Sequence, residues 1–445
     1  MESEEVGVKA PRDYRRGRRV ARRPDDRGSA SVRRMTEPGH TEAHLAPGGG
    51  DDGRVGVYVH LPWCERVCPY CDFAVLAARP LDPGVEDRYV EDLRTELAAR
   101  APAFGDRPLA SLYLGGGTPA LFRPESIARL VDAVTATFPA DASAPEITLE
   151  LNPSTVERER LPAFRAAGVN RLSIGIQSFD DGLLKRLGRA HRAVVAEETL
   201  AAARRAGFDD LSVDLIFAGP DQSAADLDRD LDRVIAFGPE HVSTYELTFE
   251  SETPFGRAVS AGRMTPPDEE LAAGMIEQVE ARLEGAGYRR YEVSSYARPG
   301  RRARHNARYW QRQAVLGLGM GAHSTEVRTP ARPHGARRAN PRDLSAWQAA
   351  LARDPAEAGE EEGLEVAVAR GEAIFLGLRQ IEGVAAQAFA EEFGAPPRAF
   401  FAEEIDRLVR VEWLVEGEGG DLRLSRAGRL LADSVGAEFV FVEGG

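Results

Sequence analysis

The stretch Val55-Gly-Val-Tyr58-Val-His60-Leu-Pro62-Trp63-Cys64-Glu-Arg-Val-Cys68-Pro-Tyr70-Cys71-Asp-Phe73 decides how the rest of the chain is read. Residues 55–60 form a short β-rich run, and directly behind it three cysteines stand at C-x3-C-x2-C spacing. They are the only cysteines in 445 residues, so they cannot build a paired disulfide framework. Their crowding into one polar, Pro-containing loop points to a metal in a reducing compartment. Three thiolates satisfy three irons of a 4Fe–4S cluster and leave the fourth iron open to a ligand. Zinc would want a fourth protein donor, and His60 precedes the loop on a strand at the wrong spacing for one. Cys64, Cys68 and Cys71 are therefore read as ligands of an iron–sulfur cluster, against the plainer alternative of three buried apolar cysteines.

Downstream of this loop, further short β-rich runs recur at Ser111–Leu114, Glu146–Leu151, Arg171–Ile176, Leu211–Phe217 and His241–Leu247. Amphipathic segments separate them: Val85–Ala101, Pro124–Phe138, Arg158–Ala167, Ala193–Ala206 and Ala224–Phe237. Repeated βα units imply a parallel sheet covered by helices. Six units are too few for a closed eight-fold barrel, so the expected class is α/β, a partial (β/α)6 barrel over residues 54–250. In such a fold the C-terminal ends of the strands face the ligand.

The flanks differ from this core. Residues 1–53 mix Arg, Asp, Gly, Pro and Ser without apolar periodicity and read as a disordered leader, with Met35 an alternative start. Residues 1–34 hold eleven basic side chains against six acidic ones, so the remainder carries 46 basic against 65 acidic groups and is a poor nucleic-acid binder. Arginine outnumbers lysine 55 to 2, which makes an arginine run weak grounds for a site. No stretch approaches the roughly 18 apolar residues of a membrane span. Residues 251–353 form an α+β extension with a helix over 268–285 and the glycine-spaced run Leu316-Gly-Leu-Gly-Met-Gly321. The acidic stretch 354–363 reads as a linker. Beyond it, 364–441 reads as a small winged-helix-like unit: three helical segments, a strand pair at 414–416 and 422–424, and a last helix over 426–439.

The segment Tyr58 to Phe73 resembles the opening of radical S-adenosylmethionine (SAM) proteins, in which the methionine moiety chelates the open iron. Further matches follow in order: Leu114-Gly115-Gly116-Gly117-Thr118-Pro119, Glu150-Leu-Asn152-Pro153, Arg171 to Phe179, Leu187-Gly-Arg189-Ala-His191, and Asp214-Leu-Ile-Phe. The set is similar to the branch that holds coproporphyrinogen dehydrogenases (HemN) and heme chaperones (HemW), and it spans residues 54–440. The resemblance implies that Tyr58, Tyr70, Gly116, Gly117, Thr118, Glu150, Gln177, Arg189 and Asp214 contact SAM. Read on their own, the glycines would let backbone amides approach a ligand or simply make a tight turn. Glu150 would bind hydroxyls or cap a helix, and Arg189 would form a surface ion pair.

Two features separate the branches. The dehydrogenase pattern continues to a fourth cysteine, C-x3-C-x2-C-x-C, where this chain has Phe73. Further on, His305-Asn-Ala-Arg-Tyr309-Trp310 matches the H-N-x-x-Y-W motif of the chaperones. Imidazole is a common axial ligand of heme iron. His305 is thus the leading heme contact, its competitor being a His-Asn pair that satisfies a long loop while Tyr309 and Trp310 fill core; His323 is second. The expected protein is cytoplasmic or peripheral to the membrane, holds a 4Fe–4S cluster and SAM, and carries heme to respiratory hemoproteins without dehydrogenase activity. The alternative is an oxygen-independent coproporphyrinogen III dehydrogenase.

Overall fold

Six apolar runs form six neighbouring parallel strands: β1 (Val55–Leu61), β2 (Leu109–Gly116), β3 (Glu146–Leu151), β4 (Arg171–Gln177), β5 (Leu211–Phe217) and β6 (His241–Glu246). In β1, Val55, Val57, Val59 and Leu61 on one face are sealed from solvent, and Gly56 and His60 on the other are buried too, as expected of a strand covered on both faces. The helices Pro83–Arg100, Pro124–Thr137, Thr155–Ala166, Ala193–Arg205 and Ala224–Phe237 connect them, together with a short helix, Asp181–Arg186. Local signals set their ends. The Asp82 carboxylate accepts from the Val85 amide at the first helix. Ser223 and Asp226 form a reciprocal capping box at the last, which ends at Gly238 in the left-handed region, φ 69°. The computed structural model describes residues 51–440 except Arg79, so the leader to residue 50, including Met35, and the last five residues lie outside the described residues.

The partial (β/α)6 barrel is the centre of a twelve-stranded sheet. On one side β7 (Val315–Leu318) adds to β1 in parallel, and β8 (His323–Thr325), β9 (Ala336–Ala339) and β10 (Glu360–Gly363) continue antiparallel. On the other side Ser295–Ala297 and Arg289–Arg290 extend β6. The stretch expected as an acidic linker, 354–363, is thus a 3-10 turn, Pro355–Glu357, followed by the edge strand β10. Its acids are matched across the pairing: Arg338 binds Glu361 at 2.5 Å and Glu357 at 3.2 Å. Opposite charges on neighbouring strands attract, and composition alone does not show that partner.

Residues 51–53 also depart from the expected leader. The Asp52 amide donates to Gln313 Oε1 (2.9 Å), and its carboxylate accepts from Arg308 (2.8 Å). The C-terminal unit has its own core, built on Ile374, Phe389, Phe401, Ile405, Leu422 and Phe439, with an antiparallel wing of Leu414–Glu416 against Leu422–Leu424. Its expected last helix is instead two, Arg426–Arg429 and Ala432–Ala437, interrupted at Leu431, whose φ of −127° is not helical. Arg312 ties the unit to the sheet through Glu372 and Glu392, each at 2.8 Å.

Candidate functional site

The cysteine loop is held closed by a short parallel pairing of Trp63–Cys64 with Leu76–Ala77. Trp63 anchors it in the core, edge-on to Tyr89 at 4.7 Å. All three cysteines are half-buried. Two side chains reach toward them, one just past a strand and one past the short helix Asp181–Arg186. Thr118, just past β2, donates to Cys64 Sγ at 3.6 Å, and Arg189 donates to Cys68 Sγ at 3.6 Å and to the Tyr70 hydroxyl at 3.5 Å. The guanidinium is pinned behind by the Gly175 carbonyl (2.8 Å) and the Asn152 side chain, which in turn donates to Thr118 Oγ1 (2.7 Å). Arg189 is therefore no surface ion pair. It places positive charge beside the thiol group and offsets the charge of a thiolate there.

Burial pushes the Cys64 thiol up to about 11 and raises Cys71 as well. Thiols so placed stay protonated at pH 7 until a cation ionises them, so loading would release protons. Among the described residues no three His, Cys, Asp or Glu side chains converge tightly enough to hold a single metal ion. In a 4Fe–4S cluster each thiolate binds its own iron, and a set of three thiols with a nearby guanidinium fits that group.

A second set of polar side chains faces the barrel axis. Glu150, at the end of β3, accepts from the Tyr113 hydroxyl (2.7 Å) and the Gly116 amide (3.0 Å). Asp214 on β5 accepts from Ser173 (3.0 Å) and Ser212 (3.3 Å). Burial, together with the Asp214 charge, pushes Glu150 up to about 7; Asp214 is raised by burial. The Tyr58 hydroxyl donates to His60 Nδ1 at 2.9 Å, Nε2–H being given to the Ala74 carbonyl, and its ring stacks on Tyr113. Gln177 ends β4 in the left-handed region, φ 66°, and its amide lies beside Gly175 with Asn152 and Arg189. The nine expected SAM positions thus fall into two touching groups, one on the cysteine loop and one around Glu150.

The glycine run departs from expectation in one respect. The amides of Gly116, Gly117 and Thr118 are already taken by Glu150 Oε2, the Leu61 carbonyl and the Trp63 carbonyl. Gly116 has φ 107° and a Cβ there would lie 2.4 Å from the His60 ring; one on Gly117 would meet the Pro62 backbone at 2.7 Å. These residues are glycines because the cysteine loop packs on them. What they can offer a ligand is carbonyl oxygen, which suits an ammonium group.

Three participants were not assigned from the sequence. Asn152 links Thr118 to Arg189, Tyr113 holds Glu150, and Tyr245 at the end of β6 is 45% exposed. Asn152 and Tyr245 stand at strand ends, which is the signal that could have found them, whereas Tyr113 lies inside β2. Glu157 is a fourth. It is 2% exposed, accepts from the Asn152 amide (2.9 Å), and lines the cleft beside Cys68 and Arg189. Burial pushes its carboxyl up to about 8. The folded protein therefore keeps a proton there that the unfolded chain, near 4.3, releases, and this stabilising contribution is lost as pH rises from about 4 to 8. Glu157→Gln removes the titration. Its thermal midpoint relative to the parent should climb between pH 5 and pH 8, and a difference flat with pH would refute the assignment.

His305 is not placed as a heme ligand. It lies on a helix, Arg304–Trp310, rather than in a loop, and is 1% exposed. Nδ1 bonds Ser111 Oγ (2.9 Å), Nε2 bonds the Tyr309 hydroxyl (3.2 Å), and its backbone amide donates to Glu146 (3.0 Å). The ring stacks on Tyr113 at 5.2 Å, and burial lowers its basicity to about 3. Both nitrogens are spent inside the barrel wall, so neither is offered to a metal from outside. Among the described residues no helix is long and apolar enough to cross a membrane.

The chain is similar to known proteins over most of its length. Residues 58–234 match the Radical SAM superfamily model, and residues 368–431 match the HemN C-terminal domain model. The heme chaperone HemW of Bacillus subtilis is 32% identical over 385 residues, 86% of this chain and 98% of its own length. HemW of Escherichia coli is 39% identical over 60% of this chain and 69% of its own. The mitochondrial radical S-adenosyl methionine domain-containing protein 1 of Bos taurus is 43% identical over 61% and 60%. Among solved structures, the coproporphyrinogen III oxidase HemN of Escherichia coli superposes with a TM-score of 0.73 over 90% of this chain and 94% of its own. At 21% identity that likeness speaks for the fold.

Proposed function

Because this chain belongs to the HemW-like family of radical SAM proteins, we propose that it is a heme chaperone that holds a 4Fe–4S cluster and SAM and passes heme to respiratory hemoproteins at the membrane. The observation that carries this reading is Phe73. It stands, 63% exposed, where the dehydrogenase pattern needs a fourth cysteine, and the chain has no other cysteine to replace it.

In this reading Cys64, Cys68 and Cys71 hold the cluster, which when reduced supplies an electron to SAM. Tyr58, Tyr70, Gly116, Gly117, Thr118, Glu150, Gln177, Arg189 and Asp214 surround the SAM. Support comes from their convergence on one barrel end. Arg189 offsets thiolate charge, Glu150 and Asp214 offer acceptors for ribose hydroxyls, and the glycine carbonyls accept from an ammonium. Three free thiols support a reducing compartment, in this reading the cytoplasm.

The test is an anaerobic incubation of the reconstituted protein with SAM, reductant and coproporphyrinogen III, run beside a heme titration. Saturable heme binding without protoporphyrinogen is expected. Protoporphyrinogen formation would assign the chain to the dehydrogenase instead, and a protein that takes up no heme is no chaperone.

A further inference from the structure

A second imidazole lies beside the cysteine loop under quite different conditions from His305. His323 opens β8 and is exposed, and its ring has no hydrogen-bond partner among the described residues. Partial desolvation of the ring and then the Arg342 charge lower its basicity, which favours the neutral imidazole with a lone pair to give. Arg342 is exposed, donates to the Asp72 carbonyl, and has no carboxylate partner among the described residues. Asp72 precedes Phe73, the exposed ring of the cysteine loop. The two segments are pressed together. A Cβ on Gly321 would lie 2.7 Å from that of Ala74, and the Ala74 carbonyl is bonded to His60 Nε2 at 2.8 Å. His60, whose basicity falls by burial, is the other imidazole facing this group, and both of its nitrogens are occupied.

Three chemistries therefore meet at one edge of the cysteine loop: a free neutral imidazole, an unpaired guanidinium and an exposed phenyl ring. Iron protoporphyrin asks for all three, an axial nitrogen, a cation for a propionate and a flat apolar contact. We propose that the cargo heme docks here, with His323 as axial ligand, Arg342 on a propionate and Phe73 against the macrocycle. This deepens the chaperone reading and rests on it.

The test titrates the full-length, cluster-loaded protein with hemin under anaerobic conditions, followed by Soret absorbance and by electron paramagnetic resonance of the ferric heme. His323→Ala should lose the nitrogen-ligand signature and bind about tenfold more weakly or worse, as expected when a central contact is truncated. Added imidazole should restore the signature. Arg342→Gln should weaken hemin binding but leave heme dimethyl ester, which has no propionate charge, unaffected. Since both residues are exposed, cluster content and circular dichroism should stay at parent values. A parent that binds heme, with His323→Ala unchanged in signature and affinity, overturns this site and leaves the chaperone reading standing. A parent that binds no heme overturns both.

Discussion

Replacing Cys68 by alanine is expected to leave a folded protein without its cluster. The side chain is half-buried, and its described partner is Arg189, which keeps its anchors on Asn152 and Gly175. Loss of the sulfur should therefore cost little stability. For the cluster the loss is decisive, because three thiolates are the full set of protein ligands and no other cysteine is available. Anaerobic reconstitution should give about four irons per chain in the parent and near-background iron in Cys68→Ala, with the same outcome at Cys64 and Cys71. Iron and sulfide analysis beside visible absorbance reads this directly. Full iron retention in any one variant would remove that residue from the ligand set, and stoichiometric zinc in the parent would remove the cluster altogether.

The largest effect on stability is expected at Arg308, an unspecified position of the H-N-x-x-Y-W motif. Its guanidinium, 2% exposed, donates to the Asp52 carboxylate at 2.8 Å, the Arg54 carbonyl at 2.8 Å and the Ala314 carbonyl at 3.1 Å. It lies flat under β1, where Gly56 has no side chain: a Cβ there would come within 2.9 Å of Arg308 Cδ. Arg308→Ala leaves the largely buried Asp52 carboxylate with only the Arg54 amide and takes the guanidinium from the Arg54 carbonyl, while the Ala314 carbonyl keeps the Gly56 amide. Breaking a buried pair in this way costs about 3–5 kcal/mol. For a chain of this size the thermal midpoint should fall by about 3–6 °C. Because Asp52 and Arg308 share one interaction, the Asp52→Ala/Arg308→Ala double variant should lose less than the two single losses combined. Strict additivity in calorimetry would show that the pair is not coupled.

Much of this molecule is legible in its sequence, and for a local reason. Parallel strands buried on both faces are written as apolar runs, and helix ends as caps such as Asp82 and Ser223; both signals need only neighbouring residues. Hence Glu146–Leu151, Leu211–Phe217 and Ala224–Phe237 are found with the same ends in the chain and in the fold. The cysteine spacing is equally local, and so is the order in which strand-end residues follow it.

What could not be read was every property set by a distant partner. His305 loses its availability as a ligand to Ser111, 194 positions away, and the glycine amides lose theirs to Glu150 and the loop before Cys64. The acidic stretch becomes β10 because Arg338 stands across from Glu361, and Arg308 becomes a clamp because Asp52 folds back over 256 positions. A side chain's type states what it can bind. Whether it remains free to do so depends on which groups the packed chain brings within about 3 Å of it.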